Sequence, residues 1–131
     1  MTSSSIKIGY DSDADEIDIV MPSRQAIESL ALVLRAGHGS LSVESGIAST
    51  SYVVNLERIV VEAHAEELVA ISVDAEDGRL FITGDPRYLE ILAENVMGVA
   101  DLSKGGHVHV EYFPGHYYLS PHSSAAVLRG A

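Results

Sequence analysis

A chain of 131 residues, 47% apolar and 21% charged, has the size and composition of one globular domain whose core needs no metal or disulfide staple. The absence of cysteine excludes disulfides and thiolate metal sites, and no apolar run approaches the ~20 residues of a membrane helix. Nineteen acids against eight Lys and Arg leave a net charge of −11, a field that repels nucleic acid and anionic membranes and attracts basic partners, although the same charge also serves plain solubility. The start, Met1-Thr2-Ser3-Ser4-Ser5, has neither the basic nor the apolar stretch of a secretory signal. Residues 1–131 are therefore expected to form one cytoplasmic domain, with 1–5 as a flexible tail.

Ile6–Tyr10 and Glu16–Val20 alternate with period two around Asp11-Ser12-Asp13-Ala14-Asp15, which predicts a hairpin. Met21-Pro22-Ser23 breaks the second strand. Ile27, Leu30, Ala31 and Leu34 then recur at helical spacing up to Gly37, a residue suited to closing a helix. A short strand is expected at Ser40–Val43 and a small polar loop at Gly46–Ser51. Strands follow at Arg58–Glu62, Leu68–Asp74 and Arg79–Thr83, the last two joined by a turn at Ala75–Gly78. Asp85 as N-cap and Pro86 as first residue open a second helix, with an apolar face of Leu89, Leu92, Ala93 and Val96 and an end near Gly98.

The two helical stripes repeat at a constant offset of 62, each after a strand and with an arginine (Arg24, Arg87) in its first turn. Two accounts fit: an ancient duplication of a strand–helix unit and, more economically, two amphipathic helices obeying the same packing rule. The expected class is α+β, a two-layer sandwich with a mostly antiparallel sheet and both helices on one face.

Four of the six histidines lie between positions 107 and 122. In His107-Val108-His109-Val110-Glu111 the two imidazoles and the carboxylate share one strand face at a spacing of about 6.5 to 7 Å. That spacing suits a zinc or iron shell which His116 or His122 would complete. No second ligand cluster is evident elsewhere; His38 and His64 stand alone. The plainer reading is the polar outer face of a strand whose Val108, Val110 and Tyr112 face the core. Around Pro114-Gly115, the aromatics Tyr112, Phe113, Tyr117 and Tyr118 read either as a turn clamped on the core or as an interface anchor. Both hold together if Tyr112 packs inward while Tyr117 or Tyr118 is exposed.

Other chemistries fare worse. Asp11–Asp15 opens like a calcium loop, but Glu16 stands where a glycine is required and Pro22 where the closing glutamate belongs. Ser120, Ser123 and Ser124 lie near His116 and His122 in sequence but in no nucleophile elbow. There is no P-loop, no dinucleotide fingerprint and no basic patch.

From His107 to His116, then Tyr118-Leu119-Ser120-Pro121 and the small apolar run Ser123–Leu128, the chain resembles the immunity protein 32 family of bacterial polymorphic-toxin systems. His-x-His-x-Glu-Tyr running into an aromatic-Pro-Gly turn is a fairly specific motif, and it covers the C-terminal quarter. Upstream, the similarity is only to the order of strands and amphipathic helices. The resemblance implies a small intracellular α+β protein that protects its producer by binding a cognate toxin, with no catalytic residues to carry over.

The expectation is thus a non-enzymatic, cofactor-free toxin inhibitor, monomeric or homodimeric, whose target is a basic, nuclease-like protein. Its candidate partner-binding residues are Asp11, Asp13, Asp15, Glu16, Asp18, His107, His109, Glu111, His116, Tyr117 and Tyr118. Glu66, Glu67, Asp74, Glu76 and Asp77 would add to the steering field. The alternative is a metal-binding enzyme or sensor on His107, His109 and Glu111.

Overall fold

The computed structural model describes residues 2–3, 5–44, 54–102 and 106–130; the loop expected at Gly46–Ser51 lies outside them. In chain order the elements are β1 (Thr2–Ser3), β2 (Lys7–Asp11), β3 (Glu16–Val20), α1 (Arg24–Ala36), β4 (His38–Ser42), β5 (Val54–Asn55), β6 (Arg58–Ala63), β7 (Ala70–Asp74), β8 (Arg79–Gly84), α2 (Pro86–Gly98), a 3-10 turn (Val99–Asp101), β9 (His107–Val110) and β10 (Ala125–Arg129). No helix among the described residues is long and apolar enough to cross a membrane. The two-residue β1, in the stretch expected to be a tail, runs parallel to Leu41–Ser42.

Local chemistry sets the helices. Ser23 caps α1 by accepting the Ala26 N–H at 3.1 Å, and Gly37 ends it in the left-handed region at φ 76°. Asp85 caps α2, accepting the Arg87 N–H at 3.0 Å, with Pro86 at the first position, where no amide proton is needed. The backbone N–H groups of Glu66 and Arg87 hold the Asp85 carboxyl below the usual carboxylate range. α1 buries Ala26, Ile27, Leu30, Ala31 and Leu34; α2 buries Leu89, Leu92, Ala93 and Val96. The helices pack on each other, and Arg35 Nε reaches Glu90 at 3.2 Å across the seam.

The α+β class holds and most strand pairs are antiparallel, but the strands do not form a single sheet. There are two mixed sheets, ordered β1-β4-β6-β8-β7 and β5-β2-β3-β10-β9. Parallel pairs, β6 with β8 and β3 with β10, lie in the middle of each. The cause is connectivity: each helix carries the chain from one sheet to the other, so strands distant in sequence meet side by side, a register no local pattern encodes. Side chains from both sheets and both helices, among them Ile8, Ile19, Ile59, Leu80, Leu30 and Leu92, join one hydrophobic cluster.

The helical repeat noted in the sequence extends far beyond the helices. β2 pairs with β3 from Lys7–Val20 to Asp11–Glu16, and β7 pairs with β8 from Ala70–Thr83 to Asp74–Arg79, each residue 63 positions later. Each hairpin turn closes on a left-handed residue, Asp15 (φ 51°) and Gly78 (φ 68°). Each hairpin then lies parallel to a strand of the other half, Arg79 opposite Arg58 and Glu16 opposite Ala125. The chain therefore holds one hairpin–helix–strand–strand unit twice, and the two units exchange their last strand pairs. A packing rule for helices would not reproduce hairpin register, so the structure favours the repeat.

Candidate functional site

The segment that drew attention in the sequence leaves one sheet, runs along the edge of the other, and returns. β9 is an edge strand paired with β10, Val110 opposite Ala126 and His107 opposite Arg129. Its alternation is as read: His107 and His109 are exposed, Val108 is half-buried and Val110 is buried. The two imidazoles meet edge to face with centroids 4.9 Å apart. Glu111 is exposed beyond the strand end, and among the described residues no group of three or more His, Asp and Glu converges to hold a metal.

After β9 the chain makes a tight turn at Pro114-Gly115, where φ of 91° at Gly115 suits glycine and the His116 N–H donates to the Phe113 carbonyl at 2.9 Å. Tyr112 is half-buried against the core, whereas Phe113 and Tyr117 stand 57% and 67% exposed. His116 lies among them: parallel to Tyr117 at 5.7 Å, tilted to Phe113 at 4.8 Å, and edge-on to Tyr118 at 4.7 Å. Its Nδ1 accepts the backbone N–H groups of Tyr118 (3.3 Å) and Leu119 (3.1 Å), so that nitrogen carries no proton. Burial pushes the His116 imidazole below its ordinary pKa, in keeping with the neutral ring these bonds need.

Beyond the turn the chain is stitched to the edge of β7. The Val69 N–H donates to Tyr118 C=O at 2.8 Å, Ser120 N–H to Val69 C=O at 2.7 Å, and Ser124 N–H to Ile71 C=O at 2.8 Å. Ser123 Oγ adds two bonds, donating to Val69 C=O and accepting from Ile71 N–H, both at 3.1 Å. Tyr118 is buried, and its hydroxyl accepts from Asn95 Nδ2 at 2.7 Å; burial raises its pKa. At the far end Ser124 Oγ donates to Asp15 Oδ1 at 2.6 Å, and the Tyr10 hydroxyl donates to the same oxygen at 2.8 Å. Asp74 follows Ile71 by three residues, about 10 Å of strand. The two acidic hairpin turns therefore lie toward the same end of this segment.

The eleven partner-binding candidates thus separate. Asp11, Asp13, Asp15 and Glu16 sit on or beside one hairpin turn, with Asp13 and Asp15 exposed, and Asp11 Oδ1 accepts the N–H groups of Asp13 and Ala14. His107, His109 and Glu111 are exposed; His116 is half-buried under Tyr117. Asp18 and Tyr118 are off the surface. β3 is a central strand buried on both faces, so Asp18, 2% exposed, points inward and takes Arg129 Nε at 2.6 Å. Tyr118 points into the core because its backbone has joined the β7 edge.

Two pairings were missed. His64 does not stand alone: its Nε2 meets Glu62 Oε1 at 2.9 Å and its Nδ1 meets Glu67 Oε2 at 2.8 Å, contacts that raise its pKa, Glu62 first. The Glu62-x-His64 spacing, two residues at a strand end, carried that signal. The Asp18–Arg129 pair spans nearly the whole chain, and no local pattern points to it.

The fold and site define a small α+β protein whose distinctive feature is a surface turn of aromatic side chains, beside a segment that leads to an acidic end. Residues 79–130, from β8 through β10, match the family model described as immunity protein 32. Neither a curated protein nor a solved structure matches the chain.

Proposed function

We propose that this protein is an immunity protein, one that binds a cognate bacterial toxin and neutralises it by covering its active site or an adjacent surface. The match of residues 79–130 to the immunity protein 32 model carries the reading. It acts by occupancy rather than chemistry, without a cofactor, in the cytoplasm of the cell it protects.

The toxin we propose is a basic, nuclease-like protein. A net charge of −11 accelerates encounter with such a partner and disfavours nucleic acid itself. Asp11, Asp13 and Glu16 on one turn, and Asp74, Glu76 and Asp77 on the other, supply the steering field, to which Asp15 adds its charge. The exposed face of His107, His109 and Glu111 and the turn carrying His116 and Tyr117 supply contacts.

Co-expression with a toxin encoded immediately upstream tests the function. The toxin should lose its lethality when this protein is present at equal or greater level. Undiminished killing would sink the reading.

A further inference from the structure

The two units of the chain offer an internal control for what the fold requires. In the first, three residues carry the chain from Leu41 of β4 to Glu44, whose N–H donates to Ile6 C=O at 2.7 Å. In the second, the equivalent step runs from Val110 to Ser120, whose N–H donates to Val69 C=O at 2.7 Å, and it takes ten residues. Val69 is the repeat counterpart of Ile6, 63 positions on. The same backbone position is reached in both units, but at different points of connections of similar length, Leu41 to Ile59 and Val110 to Ala126, so the second unit places its free stretch of chain before that contact.

The residues between Val110 and Ser120 carry the most exposed aromatic rings of the second unit. Phe113 and Tyr117, 57% and 67% exposed, leave most of their apolar area in water, so folding does not explain them. They are nonetheless held in place. His116 is wedged between their rings and anchored through Nδ1 to two backbone N–H groups. The Tyr118 beside it is locked by Asn95. Rings fixed in advance lose little freedom on binding, which is what an interface anchor requires.

Charge chooses the partner chemistry. Glu111 is exposed within the turn itself, and the exposed Glu66 and Glu67 come just before Leu68 and the Val69 that bonds Tyr118. An exposed aromatic face on a protein of net charge −11 favours a cation, which gains from the ring quadrupole and from the surrounding field together.

We propose that the 111–117 turn is the recognition hook of this protein, and that an arginine- or lysine-bearing surface of the toxin lies on the Phe113 and Tyr117 rings. This rests on the toxin-binding reading above and names the surface and chemistry that accomplish it.

The test uses the full-length protein and the toxin encoded immediately upstream. Hydrogen exchange of the wild-type complex should show new protection over 111–119, and protection confined to other segments would overturn the hook. By titration calorimetry, F113A/Y117A should bind about 30-fold or more weakly at an unchanged melting temperature, whereas L32S, on the exposed face of α1, should bind as wild type. Wild-type affinity in the double variant would remove the hook and leave the immunity function standing. Failure of the wild-type protein to bind or protect would remove both. Affinity should also fall steeply between about 50 and about 500 mM salt, over which the screening length shrinks roughly threefold; a salt-independent affinity would overturn the cationic assignment even with the footprint in place.

Discussion

The two units of this chain are built to one plan and filled differently, and the differences separate what the fold needs from what it merely tolerates. Hairpin register, left-handed turn residue, capped helix and central parallel pairing recur in both. At matched positions, Asp18 of the first unit stands where the second has Phe81, and Arg129 where the first has Glu62. A half-buried ion pair in one sheet is thus answered by an aromatic ring and a surface carboxylate in the other. The architecture does not demand the charge; once Asp18 is there, it demands a partner.

The largest expected effect follows from that asymmetry. R129M leaves the Asp18 carboxylate nearly inaccessible to water and without its 2.6 Å partner, at a cost of about 3 kcal/mol in denaturant unfolding. D18V/R129M should recover most of that loss, since no charge is then buried. If the single substitution is neutral, or the double is no better than the single, Asp18 and Arg129 are not coupled.

Next comes Gly84, the counterpart of the fully buried Met21. A Cβ there would sit 2.9 Å from Val69 Cα, against backbone that cannot rotate aside. G84A should therefore cost about 2 kcal/mol, through overpacking where the 118–120 segment is stitched on. Amide exchange should rise first at Val69 and Ser120. A melting temperature equal to that of wild type would show that this edge yields freely.

The left-handed turn positions give a smaller effect. G78A forces a side chain to φ 68° beside Glu57 and should cost about 1 kcal/mol. D15G relieves the same backbone geometry but loses the acceptor for Tyr10 and Ser124, so it should not be stabilising. A stabilised D15G would mean those two hydrogen bonds contribute nothing net.

Much of this was legible in the sequence because it is local. Hairpin turn chemistry, the Ser23, Gly37 and Asp85 caps, both helical stripes and the inward Val108 and Val110 follow from spacing within a dozen residues. What escaped depends on distant pairing. The second sheet exists because β10 returns to lie beside β3, which is also what buries Asp18. Tyr118 and Tyr117 are adjacent and chemically alike; only the edge of β7, contributed from fifty residues earlier, determines that one points inward. The helical offset of 62 was visible, yet its meaning needed the strand partners.

Two histidines, one from each unit, should pull stability in opposite directions with pH. His64 is raised by Glu62 and Glu67, so what it adds is present below the unfolded value of about 6.5 and is lost as pH rises through its folded pKa. His116 is lowered by burial, so what it adds is present above about 6.5 and is lost as pH falls toward its folded pKa. E62Q/E67Q should make the protein relatively less stable on the acid side, and H116Q relatively more acid-tolerant, in melting profiles taken from pH 8 to pH 5. Parallel profiles for both variants would refute the opposition.

The smallest effect on stability is expected at the exposed aromatic turn of the second unit. Phe113 and Tyr117 are largely in solvent. F113A/Y117A should therefore shift unfolding by less than about 0.5 kcal/mol, within the range of ordinary surface substitutions. His116 keeps its two backbone N–H donors in that variant, so the stitch to β7 survives. A loss above about 2 kcal/mol would make the aromatic turn a structural clamp. Stability retained alongside lost toxin protection would mean that the exposed rings of this turn serve recognition and not folding.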